Sequence, residues 1–473
     1  MCRAREIAET GRTDPRRSPR SSLLSLHWQK GFGLLPLATS RVSARRSGPL
    51  RSRRPPSHAG GRPGPRHRVR TALIVAAAWS ALVLTASPAN AVADVSRPQR
   101  AGVTRLAPGV VYETFSLPAS HGTAHGHLLT VDLDNDHVRV DLLRPGAADA
   151  RAPVSRLADA RGAVAAVNGD FFNISESQHP GVDPTFSAVG PAIAGGRQLK
   201  AAVPDGQRFG PALVPGTTAE DVLGIGADHV ARLDRLTLQG VIVTKAGASA
   251  LDGLNEYALP VDGVGAYTPA WGPASRLRAT CGTDTDRGAA CSADTYEVTV
   301  HGDTVTAVSA APGKGAIPRG SVVLVGREAG AQTLRHLRPG DRVHIRHRLQ
   351  GTGDDPLAFA VGGYPILRDG VPLDGLNETV AATRTAAGIG DDGHRLYLLA
   401  LDGGTESGAG LTLGELARLL LGLGAEHAVD LDGGGSSTLV TRTPGSTHST
   451  VRNHPTGVAE RPVPNGVGVL LTP

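Results

Sequence analysis

The run HAVDLDGGGSSTLV, His427 to Val440, sets a carboxylate, a bare backbone and two hydroxyls at the end of an apolar alternation. A shorter copy, HRLYLLALDGG, ends in Asp402. Two carboxylates brought together could divide acid, base and nucleophile roles in glycoside cleavage. They could equally hold a hard divalent cation, Ca²⁺ or Mg²⁺. Gly433, Gly434 and Gly435 let a ligand approach the main chain, and their N–H groups with that of Ser436 suit anionic oxygens. A single Asp-Gly-Gly is an ordinary turn. Two of them flanking one helix, the second extended to GGGSS, point to a site instead.

A third strand end of this kind is VNGDFF, where Asn168 can donate to a sugar hydroxyl or a phosphate oxygen and Asp170 adds a carboxylate. The competing reading there is a hairpin turn with Phe171 and Phe172 in the core. Arg384 in ATRTAAGIG and Arg461 in AERPVPNG could fork onto phosphate oxygens, or serve as surface ion-pair partners. No HExxH or triad spacing organises the 17 histidines, and no Walker A loop, nucleophile elbow or dinucleotide fingerprint is present.

These residues need elements to position them. LTLGELARLLLGLGA, Leu411 to Ala425, is the clearest helix, with Thr412 and Glu415 spaced as a capping box and Gly424 suited to the exit. Strand, helix, strand then reads as a β-α-β unit with parallel strands, which puts Asp402 and Asp432 at one sheet edge. HLLTVDLDNDHVRVDLLRPG alternates twice about Asp-Asn-Asp and reads as a hairpin. Residues 262–355 read as an elaboration, with a short helix over Ala329–Leu337. The expected fold class is α/β (mixed α+β): a strand-rich mixed sheet, a C-terminal β-α-β unit and a cleft at the strand ends.

Composition narrows the setting. Residues 1–70 hold 17 Lys/Arg against 3 Asp/Glu, a net +14, so the remainder of this +6 chain carries −8. The basic balance is therefore no argument for nucleic acid. Residues 71–93 read as a signal peptide cleaved near Ala91 or Ala93, which implies export and no membrane span afterwards; the rival reading is an uncleaved membrane anchor, for which the apolar run is short. Residues 1–70 are then a disordered basic leader, or lie upstream of a true start such as Val42 or Val69. A short linker, 94–104, leads into a domain over 105–472. Cys2 falls in the leader. Cys281 and Cys291 bracket a polar turn and pair as a local disulfide in an oxidising compartment.

NGDFF at 168–172, YTPAWG at 267–272, RTAAGI at 384–389, the LDGG-helix-DGGGSS run and ERPVPNGVGV together resemble the phosphodiester glycosidase family, in order, from about residue 105 to 472. The resemblance implies an α/β domain whose cleft gathers Asn168, Asp170, Arg384, Asp402, Asp432 and Asn465. It also implies cleavage of a sugar-1-phosphodiester, or of a phosphate-containing extracellular glycan, to free sugar and phosphomonoester. The chain departs from the family at Asp402-Gly403-Gly404, where an arginine is common, and Thr405 and Glu406 follow. A non-catalytic, secreted wall- or polysaccharide-binding protein is the alternative, with Tyr267, Trp271 and Tyr364 as its ring platform.

Overall fold

The computed structural model describes residues 98–353, 355–403, 409–457 and 459–472. The basic leader, the signal peptide and the Thr405-Glu406 turn lie outside the described residues. A strand, Gln99–Ala107, already begins within the segment expected to be a linker.

The α/β expectation is overturned: the described chain is mostly β. It contains three α-helices, α1 (Val154–Arg161), α2 (Ala329–Leu334) and α3 (Leu413–Leu423), against five largely antiparallel sheets. The cause is local. Alternating Val, Leu and Thr segments broken by glycine turns favour short strands, and only the Leu413–Leu423 run keeps an apolar helical period over three turns.

The largest sheet has eight strands, including Gly122–Asp132, Arg395–Leu401, Thr385–Gly390 and His427–Leu431 as consecutive neighbours. Side chains alternate across it with the period of two that strands impose. Leu129, Val131, Leu398, Ala400 and Leu431 pack one way, against two smaller sheets carrying Val140, Val167, Val361 and Val467. Leu128, Ala386, Leu399 and Leu401 pack the other way, against Leu413, Leu416 and Leu420 of α3. Helix α3 starts as its sequence requires. Thr412 accepts from the Glu415 amide, the Glu415 side chain accepts from the Thr412 amide, and Gly424 leaves in the left-handed region.

Strands Arg395–Leu401 and His427–Leu431 do run parallel, but they are not neighbours. Each is antiparallel to Thr385–Gly390, which lies between them. The expected hairpin is also revised. Gly122–Asp132 pairs with Val110–Ala119 and Arg395–Leu401, whereas Val138–Leu143 pairs with Gly466–Leu471 in another sheet. The Asp-Asn-Asp turn is thus a corner between sheets; alternation alone does not tell a corner from a hairpin.

Residues 262–355 supply most of a further five-stranded sheet and one strand, Val343–Gln350, of a three-stranded one. Their apolar side chains join Ile193, Val222 and Ala360 in one core cluster. The short helix α2 falls inside the expected Ala329–Leu337. Cys281 and Cys291 form the expected disulfide. No helix among the described residues is long and apolar enough to cross a membrane.

Candidate active site

The strand ends at Asn168, Thr385, Leu401 and Leu431 meet at one edge. Asn168, fully buried at the end of Ala165–Asn168, ties them together. Its Nδ2 donates to the Asp432 carbonyl (2.6 Å), and its Oδ1 accepts from the Thr385 hydroxyl (2.8 Å) and the Thr438 amide (3.0 Å). The side chain read as a substrate donor is thus a clamp between strands. Asn465 does similar work one step away: its Oδ1 accepts from the Asp170 amide (2.9 Å), and its carbonyl accepts from the Gly169 amide. A side chain at Gly169 would collide with Asn465.

Asp170 and Asp432 come together here with Arg461 and Ser436. Asp170 is buried against Gly190 and Gly362, and its Oδ2 accepts from the Gly190 amide (2.6 Å). Burial pushes its carboxyl up to about 6, against the pull of the Lys200 ammonium and two backbone amides. Asp432, part-buried, lines a cavity of about 490 Å³ with Phe171, Leu213, Arg384, Gly433 and Gly434. Its carboxyl is pushed up to about 7 by burial and by Asp170, against the Ser436 hydroxyl and Arg461. An acid with a raised value at a cavity wall, backed by a second buried acid, is a pattern found at catalytic carboxylates.

The three glycines have separate reasons. A Cβ at Gly433 would come 2.5 Å from the Thr383 carbonyl, Gly434 has φ +58°, and at Gly435 a side chain would strike the Arg461 guanidinium. The main chain here is no open cradle, however. The amides of Gly434, Ser436 and Ser437 donate to the carbonyls of Thr383, Gly433 and Gly434. Of the main-chain donors read as a cradle, the Gly434 and Ser436 amides are thus committed to the protein.

Of the two arginines, Arg384 is largely committed to the protein. Its Nε and Nη2 donate to the Leu411 and Val380 carbonyls, and its Nη1 lies 3.7 Å from Asp430. Arg461 lies over Gly435, donates from Nη1 to the Ser436 hydroxyl (3.2 Å), and makes no carboxylate ion pair among the described residues. A guanidinium with spare donors beside Asp432 can fork onto a phosphate.

Asp402 stands apart, across the Thr385–Gly390 strand from Asp432. Its Oδ1 meets His127 Nε2 (3.1 Å), the His454 amide (2.7 Å) and His454 Nδ1 (3.3 Å). Burial raises its carboxyl, but the His127 bond, the His454 amide and the two imidazoles more than offset this and hold it below the usual range. The other ring nitrogen of His127, Nδ1, lies 2.7 Å from the Tyr112 hydroxyl, so the ring bridges Tyr112 and Asp402.

Three groups escaped sequence reasoning. Asp430 is fully buried, neither carboxyl oxygen has a hydrogen-bond partner, and burial pushes it up to about 7 against Arg384. Lys200 is buried beside Asp170 and Glu256, donates to the carbonyls of Val189, Gly190 and Ala201, and is lowered by burial to about 8. His127 is the third. Their partners are distant in the chain, so spacing carried no signal. The rings proposed as a platform are core: Tyr267 and Trp271 are fully buried, and Tyr364 stacks on Phe171 at 5.0 Å.

Residues 294–470 match the family model described as Phosphodiester glycosidase. No curated protein matches the chain. A hypothetical protein from Synechocystis shares the fold at a TM-score of 0.60 and 22% identity, over 79% of this chain and 64% of that one. The chain thus spans under two thirds of that protein's length. A Burkholderia pseudomallei K96243 protein named for its expected export aligns at 0.58 and 20% identity, over 80% and 97%. The zebrafish N-acetylglucosamine-1-phosphodiester alpha-N-acetylglucosaminidase catalytic domain, auto-inhibited by its pro-peptide, reaches only 0.38 at 16% identity, over 79% and 87%, too loose to carry an argument. Of the motifs that carry the resemblance, RTAAGI and DGGGSS fall inside the matched residues 294–470, whereas NGDFF at 168–172 falls outside them.

Proposed function

We propose that the protein is an exported glycosidase that hydrolyses the sugar C1–O bond of a sugar-1-phosphodiester, giving free sugar and a phosphomonoester. The observation that carries this reading is the pairing of Asp432, at the cavity wall, with the uncommitted Arg461 guanidinium beside it. A phosphate leaves as a stable anion, so the site needs electrostatic holding of the leaving group more than a strong acid. Arg461 supplies that holding.

Asp432 either takes the proton of the attacking water or faces the positive charge developing at C1. In both roles it works as the carboxylate. Water oxygen joins C1, the C1–O bond breaks with its electron pair going to the phosphate oxygen, and the water proton passes to a carboxylate. Asp170 sits behind Asp432 and raises its basicity through like charge. Asp402, held by His127 and His454, is the second carboxylate at the same sheet edge and completes the set.

Asp170, Asp402 and Asp432 do not bring three ligand atoms together. The one such group among the described residues is His179, Cys281 and Cys291, whose cysteines are joined as a disulfide.

The test is a panel of sugar-1-phosphodiesters, α-N-acetylglucosaminyl ones included, incubated with and without chelator, with products identified by mass spectrometry. Free sugar plus phosphomonoester in both arms supports the reading. Activity lost with chelator would put a cation into the site. Saturable glycan binding without turnover on any member would favour the non-catalytic alternative.

A further inference from the structure

Lys200 is a buried charge that the mechanism leaves unused. It closes the strand Arg197–Lys200, and its ammonium donates to three carbonyls: Ala201 (2.5 Å), Gly190 (2.6 Å) and Val189 (3.2 Å). That occupies every donor an ammonium has. It makes no carboxylate ion pair among the described residues. A buried charge is costly unless it is compensated, so the acids around it decide what it does.

Gly190 joins Lys200 to the catalytic end. Its carbonyl accepts from Lys200 while its amide donates to Asp170 Oδ2 (2.6 Å), so one residue is gripped from both sides. The fit is close. A Cβ at Gly190 would come 2.7 Å from the Gly362 Cα and 3.2 Å from Asp170 Oδ2, and one at Gly362 would come 2.5 Å from the same oxygen. The Val189 amide donates to the Phe171 carbonyl (2.9 Å), which fixes this segment beside the one that carries Asp170. One residue before Asp170, the Gly169 carbonyl accepts from the Asp432 amide (2.9 Å). Contacts therefore run from Lys200 through Gly190 to Asp170, and across one peptide to Asp432.

Glu256 is the other acid that Lys200 could serve. Its Oε1 accepts from the Leu254 amide (3.3 Å), its Oε2 has no partner, and burial pushes its carboxyl well above the ordinary carboxylate value. Burial of that kind favours the neutral acid. Asp170, at about 6, is a carboxylate at neutral pH. The phenols of Tyr257 and Tyr364, which feel Asp170, are pushed up by burial and stay neutral. Arg144 shares a small crevice with Lys200, and Arg461 and Asp430 are the other charged groups about Asp432.

We propose that Lys200 is a positioning residue for the reaction: through Gly190 it keeps Asp170 in place, and ionised, behind Asp432. The catalytic part of this role rests on the function proposed above, whereas the coupling of Lys200 to Asp170 does not. An ammonium beside Asp170 favours its carboxylate, and that negative charge keeps the Asp432 carboxylate basic. Without the ammonium Asp170 takes a proton more readily, its push on Asp432 weakens, and Asp432 ionises at lower pH.

The test follows the lysine ε-carbons of the full chain by ¹³C NMR as pH is varied. Lys200, lowered by burial to about 8, is the lysine that titrates early. Asp170→Asn should move that titration about one pH unit lower, as loss of a nearby opposite charge does. Glu256→Gln should leave it in place. A titration unchanged in Asp170→Asn, or lowered only in Glu256→Gln, overturns the proposal. The kinetic arm uses a sugar-1-phosphodiester that the wild type hydrolyses. Lys200→Gln keeps a donor for the carbonyls without the charge, and Lys200→Met replaces it should that variant not fold. Either should shift the acid limb of kcat/KM about one pH unit below its wild-type position, lower kcat severalfold and leave KM unchanged. Asp170→Asn should shift the limb the same way, and the double variant no further. A limb that stays in place in these variants marks Lys200 as a structural clamp and overturns the positioning role. Absence of turnover in the wild type counts against the catalytic reading instead, and the NMR arm still decides whether Lys200 serves Asp170.

Discussion

At the scale of single residues, the site depends on carboxyls kept away from water. Asp432 must be ionised to act, and its value of about 7 places the rise in activity near neutrality. The expected kcat/KM profile therefore climbs as pH passes through about 7 and falls on the acid side. Asp432→Asn should lower kcat by 10²-fold or more, in the range general bases contribute, with the fold intact by circular dichroism. Asp430 makes a different, structural prediction. Its folded value of about 7 lies above the ordinary carboxylate value, so the folded state binds more protons than the unfolded one between about pH 4 and 7. Stability attributable to this group is present at acid pH and lost as pH rises through about 7. Asp430→Asn should therefore gain stability over the wild type at pH 8, on the order of 2–4 kcal/mol, and nothing at pH 4. Arg384 keeps its Leu411 and Val380 carbonyl partners in that variant.

Asn168 shows why the site was only partly legible. The motif NGDFF marked the right strand end, and the residue does stand at the edge where Asp432 and Thr385 meet. Its role, though, is set by partners 217 and 264 positions away. No spacing rule reaches that far. Removing it strands two donors and one carbonyl in the interior, so Asn168→Ala should cost on the order of 3 kcal/mol, measurable by urea unfolding. Asp402 was legible in the same partial sense: the copy of Asp-Gly-Gly was evident, whereas His127, 275 positions away, was not.

At the scale of elements, the helix was the most legible part and the sheets the least. Helix α3 announces itself through Thr412, Glu415 and Gly424, because caps are local chemistry. Thr412→Ala should lower the unfolding free energy by about 1 kcal/mol, read as a lower urea midpoint at unchanged slope. Strand partners are non-local, so an alternating pattern gives the strand but not its neighbour. That is why the Asp-Asn-Asp corner reads as a hairpin, and why the sequence does not show Thr385–Gly390 lying between the two strands of the β-α-β unit. The consequence is functional. One inserted strand separates Asp402 from Asp432 by two strand spacings, roughly 10 Å between backbones. The close acidic pair is Asp170 with Asp432 instead.

At the scale of the whole molecule, the α/β expectation overstated the helical share because one conspicuous β-α-β run stood for the rest. The 61 glycines and 34 prolines favour turns and short strands and so agree with a mostly β chain. The disulfide was legible because its two cysteines are only 10 positions apart. Closing so short a loop is worth about 3 kcal/mol in the chain-entropy account. Cys281→Ser with Cys291→Ser should destabilise the protein by roughly that amount and leave the catalytic end intact, since the turn sits on the elaboration rather than at the strand ends.

The central claim is that the bond broken is sugar C1–O, with Arg461 holding the phosphate and Asp432 acting at C1. Hydrolysis of an accepted sugar-1-phosphodiester in ¹⁸O-enriched water tests it most directly, with the position of the label read by mass spectrometry. The account predicts ¹⁸O in the released sugar and none in the phosphomonoester. Label in the phosphate would mean P–O cleavage and would contradict it.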